Sequence, residues 1–209
     1  MSLKAFDVAC DTTGKAHLIK EAGYEAVGAY MRSDRCSRSM VDGLHSVGVK
    51  LFSIWEEGHP DHAGYFTEGQ ALADGHAAAE FALSVGQPKA GTDQIEANDF
   101  PNESQIFFCV DFDASAGDVT GPIENYFKVL HEIVKPAGYL PSVYGSGLMC
   151  ALLTNAGLAH SGFLAQSKGW RNYDLFRENP RCAVVQGLQI QVCGFEVDPD
   201  EVLDPSILW

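Results

Sequence analysis

Four times in this chain a helix-forming stretch meets a glycine and a β-forming stretch begins within a few residues. Gly23-Tyr24 precedes 26–31, Gly48 precedes 49–55, Gly138-Tyr139 precedes 141–144, and Gly157-Leu158 precedes 161–165. Glycine just past a helix end takes up the left-handed backbone needed there. Repeated helix-then-strand units imply a parallel α/β sheet. Strands are expected at 5–10, 26–31, 49–55, 106–112, 141–145, 161–166 and 184–191, with a short eighth near 195–198. Helices are expected at 14–22, 38–47, 66–85, 121–134, 147–155 and near 172–177, with Thr120 as the cap of the fourth.

Eight strands alternating with helices predict a (β/α)8 TIM-like barrel, which usually takes about 250 residues. The chain has 209. A compact or modified barrel with some helices short or missing is therefore expected, as one domain over 1–209. An open doubly wound sheet is the alternative, but no G-x-G-x-x-G follows the first strand. Residues 86–105 form a polar insertion that interrupts the rhythm.

The chain carries 14 basic and 28 acidic residues, a net charge of −14. Without a basic cluster, a nucleic-acid groove is not expected, and the acidic surface disfavours anionic membranes. No apolar run is long enough to span a bilayer. The N-terminus has no apolar signal segment, so a cytoplasmic location is expected unless a secretion or phage machine delivers the chain. The six cysteines form no C-x-x-C pair and no zinc spacing. His59, Asp61 and His62 match no compact ligand motif, so neither metal nor cofactor is expected.

The chemistry concentrates in Ile106-Phe-Phe-Cys-Val-Asp-Phe-Asp113. Strand alternation sends Asp111 and Asp113 to one face, shared with Phe107 and Cys109. Neighbouring carboxyls split their pKa values, which suits acid/base work on an acetal. In a barrel, active sites gather where strands finish. Those positions hold Asp7, then Tyr30 and Arg32, Trp55 with Glu56, Asp111 and Asp113, Tyr144, Gln166, Gln189 and Gln191, and Asp198. Acids, aromatics and amides at one mouth fit a sugar ligand, because ring faces stack on pyranoses and polar groups bond hydroxyls.

With Phe6-Asp7, Val27-Gly-Ala-Tyr30, Leu51-Phe-Ser-Ile-Trp55, Val-Asp-Phe-Asp113 and Val143-Tyr-Gly-Ser146, the chain resembles the Rv2525c-like glycoside-hydrolase-like family, related to family 25 lysozymes (muramidases). The resemblance implies a modified β/α barrel. It gives Asp113 the general-acid role and Asp111 the stabilising role, with Asp7 and Asp198 as further acids of the site. Tyr30, Arg32, Trp55, Tyr144, Gln166, Gln191 and Asp198 would contact substrate. The relatives have Glu where this chain has Asp113. The lost methylene withdraws the carboxyl by about 1.5 Å, and Glu56 is placed to supply the reach. The implied function is hydrolysis of a β-linked amino-sugar polymer such as peptidoglycan. A non-catalytic carbohydrate- or wall-binding module on the same barrel is the alternative.

Overall fold

The chain winds into a closed barrel of eight strands. In the computed structural model, residues 2–90 and 104–209 are described. Residues 91–103, most of the polar insertion, lie outside them. Strands β1 (Leu3–Val8), β2 (Ala26–Tyr30), β3 (Lys50–Trp55), β4 (Gln105–Cys109), β5 (Leu140–Gly145), β6 (Gly162–Leu164) and β7 (Cys182–Gln186) run parallel in that order. A further strand, β9 (Phe195–Val202), closes the ring antiparallel to both β7 and β1. Between them in sequence, β8 (Ile190–Val192) forms a hairpin with β9.

This corrects the expected (β/α)8 barrel. Seven strands are parallel and one is reversed, and helices fill six crossovers. The closed ring also excludes the open doubly wound sheet. The cause is local. Only residues 187–194 separate β7 from β9, and a parallel return needs a crossover of about a dozen residues. Cys193 and Gly194 both have positive φ, 52° and 88°, the backbone of a two-residue hairpin turn. That turn sends the chain straight back down the barrel. The strand expected at 184–191 accordingly breaks at Gly187.

The crossovers carry α1 (Ala16–Glu21), α2 (Arg38–Ser46), α3 (Glu68–Val85), the single turn α4 (Ala116–Asp118) running through a kink into α5 (Glu124–Val134), α6 (Gly147–Asn155) and α7 (Tyr173–Arg177). Ser37, Thr67 and Ser146 cap α2, α3 and α6 by accepting from Met40, Gln70 and Met149. The expected Thr120 cap is replaced by Ser115, which forms a capping box with Asp118. Thr120 instead donates to the Ala116 carbonyl inside the kink. The four junction glycines all have positive φ, between 70° and 100°.

Strand alternation produces two apolar layers. Outward residues such as Val27, Leu51, Trp55, Ile106 and Phe108 pack beneath the helices. Inward residues fill the barrel: Ala5, Ala26, Ile54, Cys109, Val184 and Val202 surround Phe52, Phe107 and Phe163. These three rings meet edge to face at 5.7–6.3 Å, a favoured aromatic geometry. Gly28 makes room for them. A Cβ there would come within 2.6–2.7 Å of the Phe52 ring and the Asp7 Cβ. The aromatic plug therefore stops just beneath Asp7, and polar groups occupy the mouth above it.

Candidate active site

Four carboxyls meet at the C-terminal rim of the parallel strands. Asp7, near the end of β1, is 2% exposed. It accepts from the Tyr30 hydroxyl at 3.2 Å and from Gln186 Nε2 at 2.8 Å. Asp198, on the reversed strand, is its direct partner in register. Glu56 follows the last residue of β3 and pairs with Arg35 at 3.5 Å. Asp111 lies just past β4, its backbone N–H donating to the Pro60 carbonyl at 2.9 Å.

Gln186, the last residue of β7, ties the mouth together. Its amide N–H donates to Asp7, while its carbonyl accepts from the Tyr144 hydroxyl at 2.9 Å and the Gln166 backbone N–H at 3.3 Å. Tyr30 and Tyr144 pack on the inner aromatic layer from opposite sides. The Arg35 guanidinium sits 5.2 Å from the Tyr30 ring centre, within cation–π range.

The electrostatics follow from the enclosure. Burial pushes the Asp7 carboxyl up to about 7; the Gln186 and Tyr30 bonds oppose this, while Asp198 and Glu56 add to it. One step deeper on β9, Asp200 is 5% exposed and neither oxygen has a donor. Burial drives its carboxyl well above the usual range, reinforced by the charges of Asp7 and Asp198. The Asp7 charge thus opposes ionisation of Asp200. Asp111 is exposed at the rim, yet the mouth walls desolvate its carboxyl enough to raise it to about 6, with Glu56 and Asp61 adding their charge. Glu56 thus adds its charge to both Asp7 and Asp111.

The loop over β4 is fastened from outside. Asp74 of α3 is buried and accepts from the hydroxyls of Tyr65 and Tyr126, at 2.7 and 2.5 Å, and from Gln70 at 3.0 Å. Tyr65 ends the loop that carries Glu56, Pro60 and Asp61.

Of the residues named from sequence, Asp7, Tyr30, Glu56, Asp111, Tyr144 and Asp198 converge on the mouth, with Gln166 joining through its backbone. Four lie elsewhere. Asp113 turns to the loop after β6, where its Oδ1 accepts from the Arg171 backbone N–H and its Oδ2 from the Arg171 guanidinium, at 3.0 and 2.7 Å. Trp55 packs in the outer layer beside Met31 and Phe81. Arg32 pairs with Asp34 and Glu57 at 3.2 and 3.5 Å. Gln191 is exposed on the β8–β9 hairpin. Gln186 and Asp200 were missed. Gln186 ends the apolar run 182–185, the signal of a strand end, and Asp200 shares a face with Asp198 at a spacing of two. Among the described residues, no group of three or more His, Cys, Asp or Glu is placed to hold a metal ion.

A barrel with one reversed strand and carboxyls gathered at one rim defines a glycoside-hydrolase-like architecture. The chain belongs to the Rv2525c-like, glycoside hydrolase-like domain family, whose model matches residues 17–185. Two Bacillus subtilis proteins are similar in sequence. FadG is 27% identical over 175 residues and YbfG 28% over 179, covering 76% and 75% of this chain. The chain spans only 28% and 22% of their lengths. In fold it is similar to the Tat-secreted protein Rv2525c of Mycobacterium tuberculosis, solved with L-tartrate, at a TM-score of 0.77 and 17% identity over 97% of this chain and 96% of that one. It is also similar to the catalytic domain of endolysin ply40 from Listeria monocytogenes bacteriophage P40, at 0.55 and 12% over 99% and 96%. The Cpl-1 endolysin, solved with a peptidoglycan analogue, scores 0.53 at 14% identity, with 97% of this chain and 55% of that one covered. At these identities the structures speak for the fold. No helix among the described residues is long and apolar enough to cross a membrane.

Proposed function

We propose that this domain hydrolyses a β-linked amino-sugar polymer of the peptidoglycan type by carboxylate acid/base catalysis. The observation that carries the reading is the electrostatic grouping of Asp7, Glu56, Asp111 and Asp198 at one solvent-open mouth, with two of them pushed to about 7 and about 6. A general acid works best with its pKa near the operating pH. Asp111 combines such a value with exposure, so it donates the proton to the leaving oxygen. Glu56 faces it and stabilises the positive charge that develops on the sugar ring. Asp7, steadied by Tyr30 and Gln186, bonds a sugar hydroxyl or acetamido group. The role that the resemblance gives Asp113 passes to Asp111, because Arg171 occupies both Asp113 oxygens.

The same Arg171 contact favours one second reading, a glycan-binding module without turnover, since the carboxyl to which the resemblance gives the acid role is already occupied. Digestion of purified wall glycan, followed by reducing-end assay and mass spectrometry, separates the two. Hydrolysis predicts product release that falls by about 100-fold or more in Asp111→Asn and Glu56→Gln and far less in Asp113→Asn. Saturable binding with no product from the unmodified protein would replace hydrolysis with the binding module.

A further inference from the structure

The opposite end of the barrel carries a second concave site of reversed charge. A cavity of about 210 Å³ opens where β5, β6 and β7 begin, between the ends of α5 and α6. Its charged and titratable lining residues are His131, Lys135, His160 and Arg181; no acidic residue lines it among the described residues. This is exceptional in a chain of net charge −14.

Basic side chains at helix ends commonly do no more than offset the helix dipole, so the balance must be struck. His131 lies in the last turn of α5 and Lys135 follows its end, while α6 ends beside Thr154. Two helix C-termini contribute about −0.5 charge each. Lys135 and Arg181 contribute two permanent positive charges, leaving a net of about +1 with the imidazoles left out of the sum. Arg181 belongs to no helix. One of its nitrogens donates to the His160 carbonyl at 3.2 Å, which tethers the guanidinium at the rim of the cavity it lines. Among the described residues, no carboxylate pairs with Lys135, His131 or Arg181.

We propose that this pocket binds a phosphate-type oxyanion. A planar guanidinium and a mobile ammonium converging on one cavity suit a group with several acceptor oxygens. The volume equals about seven waters at about 30 Å³ each, room for a phosphate and a small substituent. The site lies at the strand starts, remote from the acidic mouth, and does not depend on the reading given for that mouth.

The test is a titration of the whole chain with inorganic phosphate, followed through backbone amide NMR shifts, with glycerol 3-phosphate and phosphatidylglycerol vesicles as further arms. Saturable shifts centred on residues 131–135, 157–160 and 181 are expected, weakened at least tenfold in Lys135→Ala/Arg181→Ala and unchanged in Asp111→Asn. Saturation by the soluble phosphates identifies a free phosphorylated ligand; binding to vesicles alone identifies a lipid headgroup. Either supports the site provided the double variant abolishes it. Linear, scattered shifts in all arms, or saturation indifferent to the double variant in a chain that remains folded, would overturn it.

Discussion

Replacing Asp7 by Asn should make this protein more stable at alkaline pH. Burial raises the Asp7 carboxyl from 3.8 to about 7. At about 1.4 kcal/mol per unit, that difference between folded and unfolded chains is roughly 4 kcal/mol. Below pH ~4 the carboxyl is neutral in both states and nothing is lost. As pH rises from there through about 7 the unfolded chain releases the proton first, so folded stability declines until the native carboxyl has also ionised. Asn keeps the shape, never ionises, and can donate to Asp200, which has no donor. It loses part of the acceptor capacity for Tyr30 and Gln186, a cost of about 1 kcal/mol. The net gain at pH 8.5 is then about 3 kcal/mol. At about 2–4 °C per kcal/mol for a chain of this size, Asp7→Asn should melt roughly 6–12 °C above the unmodified protein at pH 8.5 and about 2–4 °C below it once pH falls under ~4, where only the lost acceptor capacity remains. Circular dichroism melts at pH 4, 6 and 8.5 measure this directly. A gap that does not change with pH, or a variant that melts lower at pH 8.5, would show that Asp7 does not bury a strained charge.

Two further outcomes follow from the geometry. If Asp111 is the proton donor, kcat/KM falls tenfold per pH unit above about 6, and Glu56→Gln, by removing the facing charge, moves that limb to lower pH; a limb that stays in place would separate the two residues. Asp74→Ala strands the Tyr65 and Tyr126 hydroxyls and should cost about 3–5 kcal/mol, read as a lower urea midpoint with an unchanged slope.

The parallel part of the barrel was legible because each return leaves a mark, a glycine after a helix and an apolar run after the glycine. The reversed strand was not. Hydrophobic alternation is the same in parallel and antiparallel strands, and the deciding signal was two residues, Cys193-Gly194, whose backbone sign no pattern reveals. The site was readable where strand parity holds. Trp55 and Glu56 are adjacent, so only one can face inward, and the acid does. Parity failed for Asp113 because β4 ends at Cys109; beyond that the chain turns freely, and Asp111 and Asp113 part company. Arg171 could not have been matched to Asp113 from sequence, since 58 positions separate them. Gln186 was hidden by an overlong strand that moved attention to Gln189 and Gln191.

The barrel is sealed by its first and last strands, residues 3–8 against 195–202, and three acids of the mouth lie across that seam. Asp7 comes from one lip, Asp198 and Asp200 from the other. Contacts this distant in sequence form late and slowly, because nearly the whole chain must be looped before they are rewarded. An open ring can still hold Glu56 and Asp111 at the ends of the neighbouring strands β3 and β4, but it cannot bring Asp7 to Asp198 and Asp200. Closing the ring is thus the step that adds the first-strand and last-strand acids to the pair already held by β3 and β4.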